Sequence, residues 1–288
     1  MLGRLGQAGP AVKIRHWAYD LRTWAADHPS IYLPFARVTH PAGPGKILVD
    51  DTEIVIDGFT RSASTFALIA FQLSQPRPVR TGHHTHAPAH LIAAARRGLP
   101  VLVPVREPEP TILSLVVREP HVSMTQALKS YARFYTTLRP YREDFVIATF
   151  DEVTGDFGAV IRRVNARFGT TFAAFEHTEA NVKRCFDLIE DRSRRQPWAQ
   201  ALSHFQSGLI GLPELERAIA QHDASTSAAP VFEHLVARPS SERRKLKEAS
   251  MARWQDADLA RLRERAEAAY TAFVSGTVAR ANPRWASV

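Results

Sequence analysis

Short apolar runs rich in β-branched residues alternate with small-residue loops and stretches of helical spacing between residues 54 and 169. Ile54-Val55-Ile56 is the first run and reads as a buried strand. Asp57-Gly58 lets the chain turn sharply, and from Thr65 onward Phe66, Ile69, Ala70 and Leu73 fall at helical spacing. Val79 to His84 suggests a second short strand, followed by a helix from about Ala89 to Arg97 that Gly98 closes. Val101-Leu102-Val103-Pro104-Val105 is the third run, although Pro104 removes one ladder donor. A helix from about Glu109 carries Ile112, Leu113, Leu115 and Val116. Ser123 has the character of an N-cap for a helix with Met124, Leu128, Tyr131, Tyr135 and Leu138 inward, stopped by Pro140. Phe145 to Thr149 is the fourth run, and Gly158 to Phe168 is an amphipathic helix ended by Gly169. The alternation predicts an α/β fold with a mostly parallel central sheet flanked by helices.

The flanks are less regular. Ile14 to Ala26 suggests a helix with Trp17, Leu21 and Trp24 near one face, ended by His28-Pro29, with a loop from Pro34 to Pro44. Helices are expected around 178–195, 212–222 and 256–275, and Asp223 to Pro230 reads as a mobile loop. The whole chain, residues 1–288, is expected to form one domain, with a helical layer over the sheet from about residue 178.

Composition narrows the function classes. Hydrophobic content of 45% with 23% charged residues is that of a globular protein. The single cysteine, Cys185, excludes an intrachain disulfide and favours a reducing compartment. The first residues lack the apolar core of a signal peptide and no run approaches membrane-spanning length, so a cytoplasmic protein without a membrane partner is expected. A net charge of +8 favours anionic ligands. The basic residues are scattered and not interleaved with aromatics, which argues against nucleic acid as the main partner.

Strand, small-residue loop and helix start at 54–66 is an arrangement that aims backbone N–H groups at a phosphate. An ATP-binding loop needs Gly-x-x-x-x-Gly-Lys-Ser/Thr, and counting from Gly58 places Ala63 and Ser64 at its glycine and lysine. The essential charge is therefore missing. Phe59-Thr60-Arg61-Ser62-Ala63-Ser64-Thr65-Phe66 instead resembles the 5′-phosphosulfate loop of PAPS-dependent sulfotransferases, with Arg61 for lysine and Ala63 for glycine. Val103 to Pro108, through Leu113-Ser114, resembles that family's second segment, in which an arginine and a serine eight residues apart hold the 3′-phosphate. His84-Thr85-His86-Ala87-Pro88 is similar to its Lys-Thr-His-Leu-Pro segment, which places His86 at the catalytic base. Ala148 to Val153 resembles the strand end whose aromatic flanks the adenine, here Phe150, with Phe66 opposite.

The resemblance implies a P-loop-like sulfotransferase architecture, PAPS as sulfuryl donor, PAP as product, and a small-molecule or glycan acceptor. Arg61, Ser62, Ala63, Ser64, Thr65 and Phe66 would hold the 5′-phosphosulfate end, Arg106 and Ser114 the 3′-phosphate, and Phe150 the purine. His86 would be general base, with His83 and His84 as neighbouring candidates, and Arg61 would neutralise the leaving phosphate. Four histidines between 83 and 90 also admit a zinc reading, weakened by Pro88 and the lack of acidic or cysteine ligands in that stretch. A silent PAP-binding protein and a kinase-like transferase are the alternatives. Arg238 to Lys245 is a candidate for the basic segment that folds over the 3′-phosphate in that family, but the family's Arg-Lys-Gly signature is absent, so a solvated charged helix face is the preferred reading there, as for Arg192 to Arg195.

Overall fold

The computed structural model describes residues 10–39, 46–193, 198–223 and 241–275. The expected loop at 224–230, Arg194-Arg195 and Arg238 to Ser240 lie outside these residues. Helices α1 (Pro10–Ala25) and α2 (Pro29–Thr39) precede strand β1 (Ile54–Ile56). The chain continues through α3 (Ser64–Ser74), β2 (Thr81–His83), α4 (Pro88–Arg96), β3 (Val101–Val105), α5 (Pro108–Arg118) and α6 (Met124–Leu138). A 3-10 turn leads into β4 (Val146–Thr149), α7 (Phe150–Gly155) and α8 (Phe157–Phe168). The final layer comprises α9 (Glu179–Ser193), α10 (Ala199–Gln206), α11 (Leu212–Asp223), α12 (Ser241–Gln255) and α13 (Ala260–Val274).

The sheet has four strands in the order β2-β1-β3-β4, all parallel. Residues of every strand are buried or nearly so, as a sheet covered on both faces requires. One apolar cluster includes Val55, Val103, Leu128, Tyr135 and Phe273, a second includes Ile54, Ile69, Leu102, Phe157 and Leu188, and a third, smaller one includes Ala26, Tyr32, Ile47 and Ala89. From β1 the chain goes first to β2 on one side and then to β3 on the other. The switch point therefore lies between β1 and β3, at the carboxyl edge where ligands of such sheets bind.

Two features keep that edge open. Asp57 N–H donates to Leu102 O, so the alternating backbone places residue 104 on the same side of β3, beyond the end of β1. Pro104 therefore lacks a donor only where β1 no longer needs one. A Cβ at Gly58 would lie 2.3 Å from Pro104 O, which explains the glycine.

The flanks correct one expectation and bear out another. Pro34 lies inside α2, so residues 34–39 are helical and not loop: five residues of the helix precede it, and its missing donor costs the single bond to Ser30 O without ending the helix. Trp17, Leu21 and Trp24 do share a face, but it is exposed, while Tyr19 is buried. Helix α10 had no counterpart among the expected elements, and α12 only the charged helix face read at its start. No helix among the described residues is long and apolar enough to cross a membrane.

Candidate functional site

All four strands deliver residues to one cavity of about 730 Å³ at the carboxyl edge of the sheet. Arg61 to Phe66 follow β1, His86 follows β2, Arg106 and Ser114 follow β3, and Phe150 follows β4. Of these, every residue except Ser62 lines the cavity. Ser62 is instead fully buried and donates its hydroxyl to Phe59 O at 2.7 Å, so its side chain braces the loop.

The loop geometry follows from its residues. Ala63 is the N-cap of α3 in the left-handed region, with φ 70° and ψ 12°, and no side chain caps the helix. The first-turn N–H groups thus carry the positive end of an eleven-residue helix toward the cavity. Arg61 also has positive φ, at 72°. Ala63 adopts the conformation a glycine would supply, at a cost for an L-residue of about 1–2 kcal/mol. Ala63→Gly should therefore raise stability by about 1 kcal/mol, less than the full relief because glycine gains more entropy on unfolding. Chemical denaturation measures the change, and a loss of stability would show that the alanine methyl's packing outweighs the strain.

Basic side chains converge from distant parts of the chain. Arg61 Nε and an Arg243 terminal nitrogen each donate to Ser114 Oγ at 2.9 Å. The Arg106 guanidinium lies over the Phe150 ring, 3.9 Å from its centroid. Arg244 and Lys247 also line the cavity, and no described lining residue is acidic. Arg61 is pulled down to about 9, first by burial and then by Arg243, Arg118 and Arg106. Lys247 is pulled down to about 8 by burial, then by Arg106, Arg243 and Arg61. Burial and its basic neighbours lower Arg243 in the same way. Residues 241–245 are exposed as a solvated face requires, with one exception that corrects the reading: Arg243 is 4% exposed and part of the site. Local pattern could not show this, since the contact with Ser114 spans 129 residues.

A second group lies beside the cations. Asp57 is completely buried and accepts from Gly58 N, Thr85 N, Thr85 Oγ1 and His86 N at 2.7–3.0 Å. His86 Nδ1 is 3.1 Å from Asp57 Oδ1 and 2.8 Å from Gly58 O. Both neighbours are acceptors, so Nδ1 carries the hydrogen, and neutral His86 has its lone pair on Nε2. Burial opposes ionisation of Asp57, but the charge and hydrogen bond of His86, then His90 and Thr85, hold its carboxyl far below the usual range. Asp57, read from sequence only as a turn residue, is the residue that organises the histidine loop.

The other histidines are placed differently. His84 Nε2 contacts Thr65 Oγ1 at 3.0 Å, His84 and His83 share an Nδ1 contact of 2.7 Å, and His83 Nε2 contacts Ser207 Oγ at 3.1 Å. Neither lines the cavity. Among the described residues no group of three or more His, Cys, Asp or Glu is arranged to hold a metal. Phe66 is 4% exposed and packs against Phe175 and Phe186, so it belongs chiefly to the core, while Phe186 reaches the cavity wall.

His90 is fully buried, with neither ring nitrogen hydrogen-bonded. Burial pushes it down to about 4, against the pull of Asp57 3.9 Å away. Its unfolded value is about 6.5, so between about pH 6.5 and 4 the unfolded chain binds a proton that the folded one refuses. His90's contribution is full above that window and should fall by about 3 kcal/mol across it. Asp57, with its depressed carboxyl, adds a loss only below about pH 4. Urea unfolding from pH 7 to 4.5 should show the decline in the native protein and a flatter profile in His90→Leu; equal slopes would assign it elsewhere.

No family model matches the chain, and no match is found among curated proteins or solved structures.

Proposed function

We propose that the protein is a PAPS-dependent sulfotransferase that moves a sulfuryl group to a hydroxyl or amine. The observation that carries the reading is the convergence of Arg61, Arg106, Arg243 and Lys247 on a cavity with no described acidic lining, beside an aromatic ring and a carboxylate-oriented histidine. These residues fit a nucleotide with two widely separated anionic groups. The helix end at Ser64 and Arg61 suit the 5′-phosphosulfate, Arg106, Ser114 and Arg243 suit the 3′-phosphate, and Phe150 and Phe186 offer apolar surface to the purine.

PAPS, when bound, supplies the activated sulfuryl group. The chain's own contribution is positioning and charge. His86 Nε2 takes the acceptor's proton, and the imidazolium that results is stabilised by Asp57. Arg61 neutralises charge on the 5′-phosphate. Arginine keeps its proton under ordinary conditions, so it acts through charge and hydrogen bonds and not as an acid.

PAP at about 100 times its dissociation constant should stabilise the protein by about 2.7 kcal/mol, a rise in Tm of roughly 5 °C, without added metal. ATP effective only with magnesium would instead favour the kinase-like alternative. Transfer from labelled PAPS to a panel of phenols, alcohols, amines and glycans separates the enzyme from a silent PAP-binding protein.

A further inference from the structure

Thr65, on the cavity wall, is the outer end of a hydrogen-bonded chain that the reaction proposed above does not use. Thr65 Oγ1 lies 3.0 Å from His84 Nε2, and His84 Nδ1 lies 2.7 Å from His83 Nδ1. His83 is fully buried, and its Nε2 lies 3.1 Å from Ser207 Oγ. Ser207 Oγ in turn donates to Ser203 O at 3.0 Å. Two histidines that do not line the cavity thus connect its wall to a backbone carbonyl of α10.

The inner end sets the direction of the chain. A serine hydroxyl has one hydrogen, and that of Ser207 goes to Ser203 O, so Ser207 Oγ accepts and His83 Nε2 carries the hydrogen. With both rings neutral, His83 Nδ1 then has the lone pair, and the contact between the rings requires the hydrogen on His84 Nδ1. His84 Nε2 is left with a lone pair and takes the Thr65 hydroxyl hydrogen. Thr65 therefore turns its hydrogen away from the cavity and has only lone pairs for an anion there. One proton from solvent on His84 Nε2 reverses this last link. Thr65 Oγ1 then accepts from the ring, and the hydroxyl hydrogen, which stays on its oxygen, turns to the anion.

We propose that His83 and His84 are a proton-linked positioning pair: an oxyanion at the start of α3 draws one proton onto His84 and gains the Thr65 hydroxyl as a donor. The inference rests on the reading of this cavity as an oxyanion site, occupied by the 5′-phosphosulfate end of the nucleotide. In the empty site the cations of the cavity, Arg61 among them, oppose an added proton, and a bound anion removes that opposition. Other groups face the pair from the elements around it. The His86 ring centroid is 5.7 Å from that of His84, with the Asp57 carboxylate behind it, which favours the added proton. Arg80 donates to Ser207 O at 3.4 Å and opposes it, while Lys46 contributes its carbonyl, which accepts from His83 N at 2.9 Å. Such coupling is reciprocal, so affinity for the anion should fall by up to about tenfold per pH unit wherever the free pair is neutral.

The full chain, isotope-labelled at its histidine rings, is studied by long-range proton–nitrogen correlation spectra in sodium chloride, in sodium sulfate at matched ionic strength, and with PAP. His84→Gln identifies the His84 signals. In chloride the hydrogens should sit on His84 Nδ1 and His83 Nε2, and sulfate should protonate both nitrogens of His84. Sulfate carries no proton near neutral pH, so any uptake belongs to the protein. Thr65→Val should abolish the response of His84, because the link runs through the hydroxyl. Calorimetry of PAP binding in two buffers of different ionisation heat should show greater proton uptake by the native protein than by His84→Gln, whose amide donates to Thr65 without an added proton. The opposite tautomers in chloride, no change at His84 in sulfate, or a tautomer shift without an added proton overturns the proposal. Protonation of His84 that persists in Thr65→Val also overturns it, in favour of simple attraction between charges. A sulfate response without PAP binding sustains the pair and removes the nucleotide reading alone.

Discussion

His86→Ala should lower sulfuryl transfer by roughly 10²–10⁴ while leaving the dissociation constant of PAP nearly unchanged. His86 meets the cavity on one side and Asp57 on the other, and it is not among the cations that meet at Ser114. Removing it takes away a proton acceptor without removing an anion contact. Asp57→Asn tests the same arrangement from behind. An amide can present an N–H where the carboxylate only accepted, which favours the wrong tautomer of His86. Turnover should fall by about 10² or more, and the pH profile should change with it. His84→Ala, which breaks the contacts with Thr65 and His83 but leaves the Asp57–His86 pair, should cost much less. Should His84→Ala abolish transfer while His86→Ala retains it, the base has been assigned to the wrong ring.

Arg243→Met should weaken PAP by about 2–3 kcal/mol, roughly 30- to 150-fold, while leaving the unliganded protein as stable as before or more so. The opposite signs follow from the company Arg243 keeps. Burial and the neighbouring Arg118 and Arg106 already disfavour its charge, so losing that charge relieves the free protein. Methionine retains much of the apolar stem. The bound nucleotide, in contrast, loses a charge-assisted donor. Calorimetric titration with PAP and AMP, alongside denaturation without ligand, measures both quantities. A fall in both stability and affinity would make Arg243 a structural residue of the α5–α12 contact. Equal losses for PAP and AMP would remove it from the 3′-phosphate.

The sheet and its order of elements were legible because every strand but β2, Thr81-Gly82-His83, announces itself locally. Ile54 to Ile56 and Val101 to Val105 are apolar and β-branched, and Gly98 and Gly169 take the positive φ expected where their helices end. The cavity side chains that follow the strands were legible for the same reason, since they sit at fixed distances from those runs. Asp57 and Arg243 were not. An Asp-Gly pair is a turn signal in any sequence, and only the meeting of four donors from residues 58, 85 and 86 reveals the buried carboxylate. A run of basic residues has no local mark that separates a solvated face from a buried contact. Pro34 misled because the penalty for a helical proline depends on what lies a turn before it.

Helix α12 has two buried residues, Arg243 and Trp254, near its opposite ends. Trp254 sits in the apolar cluster beneath, and burying its ring contributes several kcal/mol toward keeping the helix in place. The other end brings Arg243, Arg244 and Lys247 toward Arg61 and Arg106, where like charges push it away. The helix therefore behaves as a lever pinned at one end and sprung at the other. An anion in the cavity would act as the missing counterweight, so the proposed nucleotide would complete the tertiary structure of the carboxyl-terminal layer as well as occupy its site.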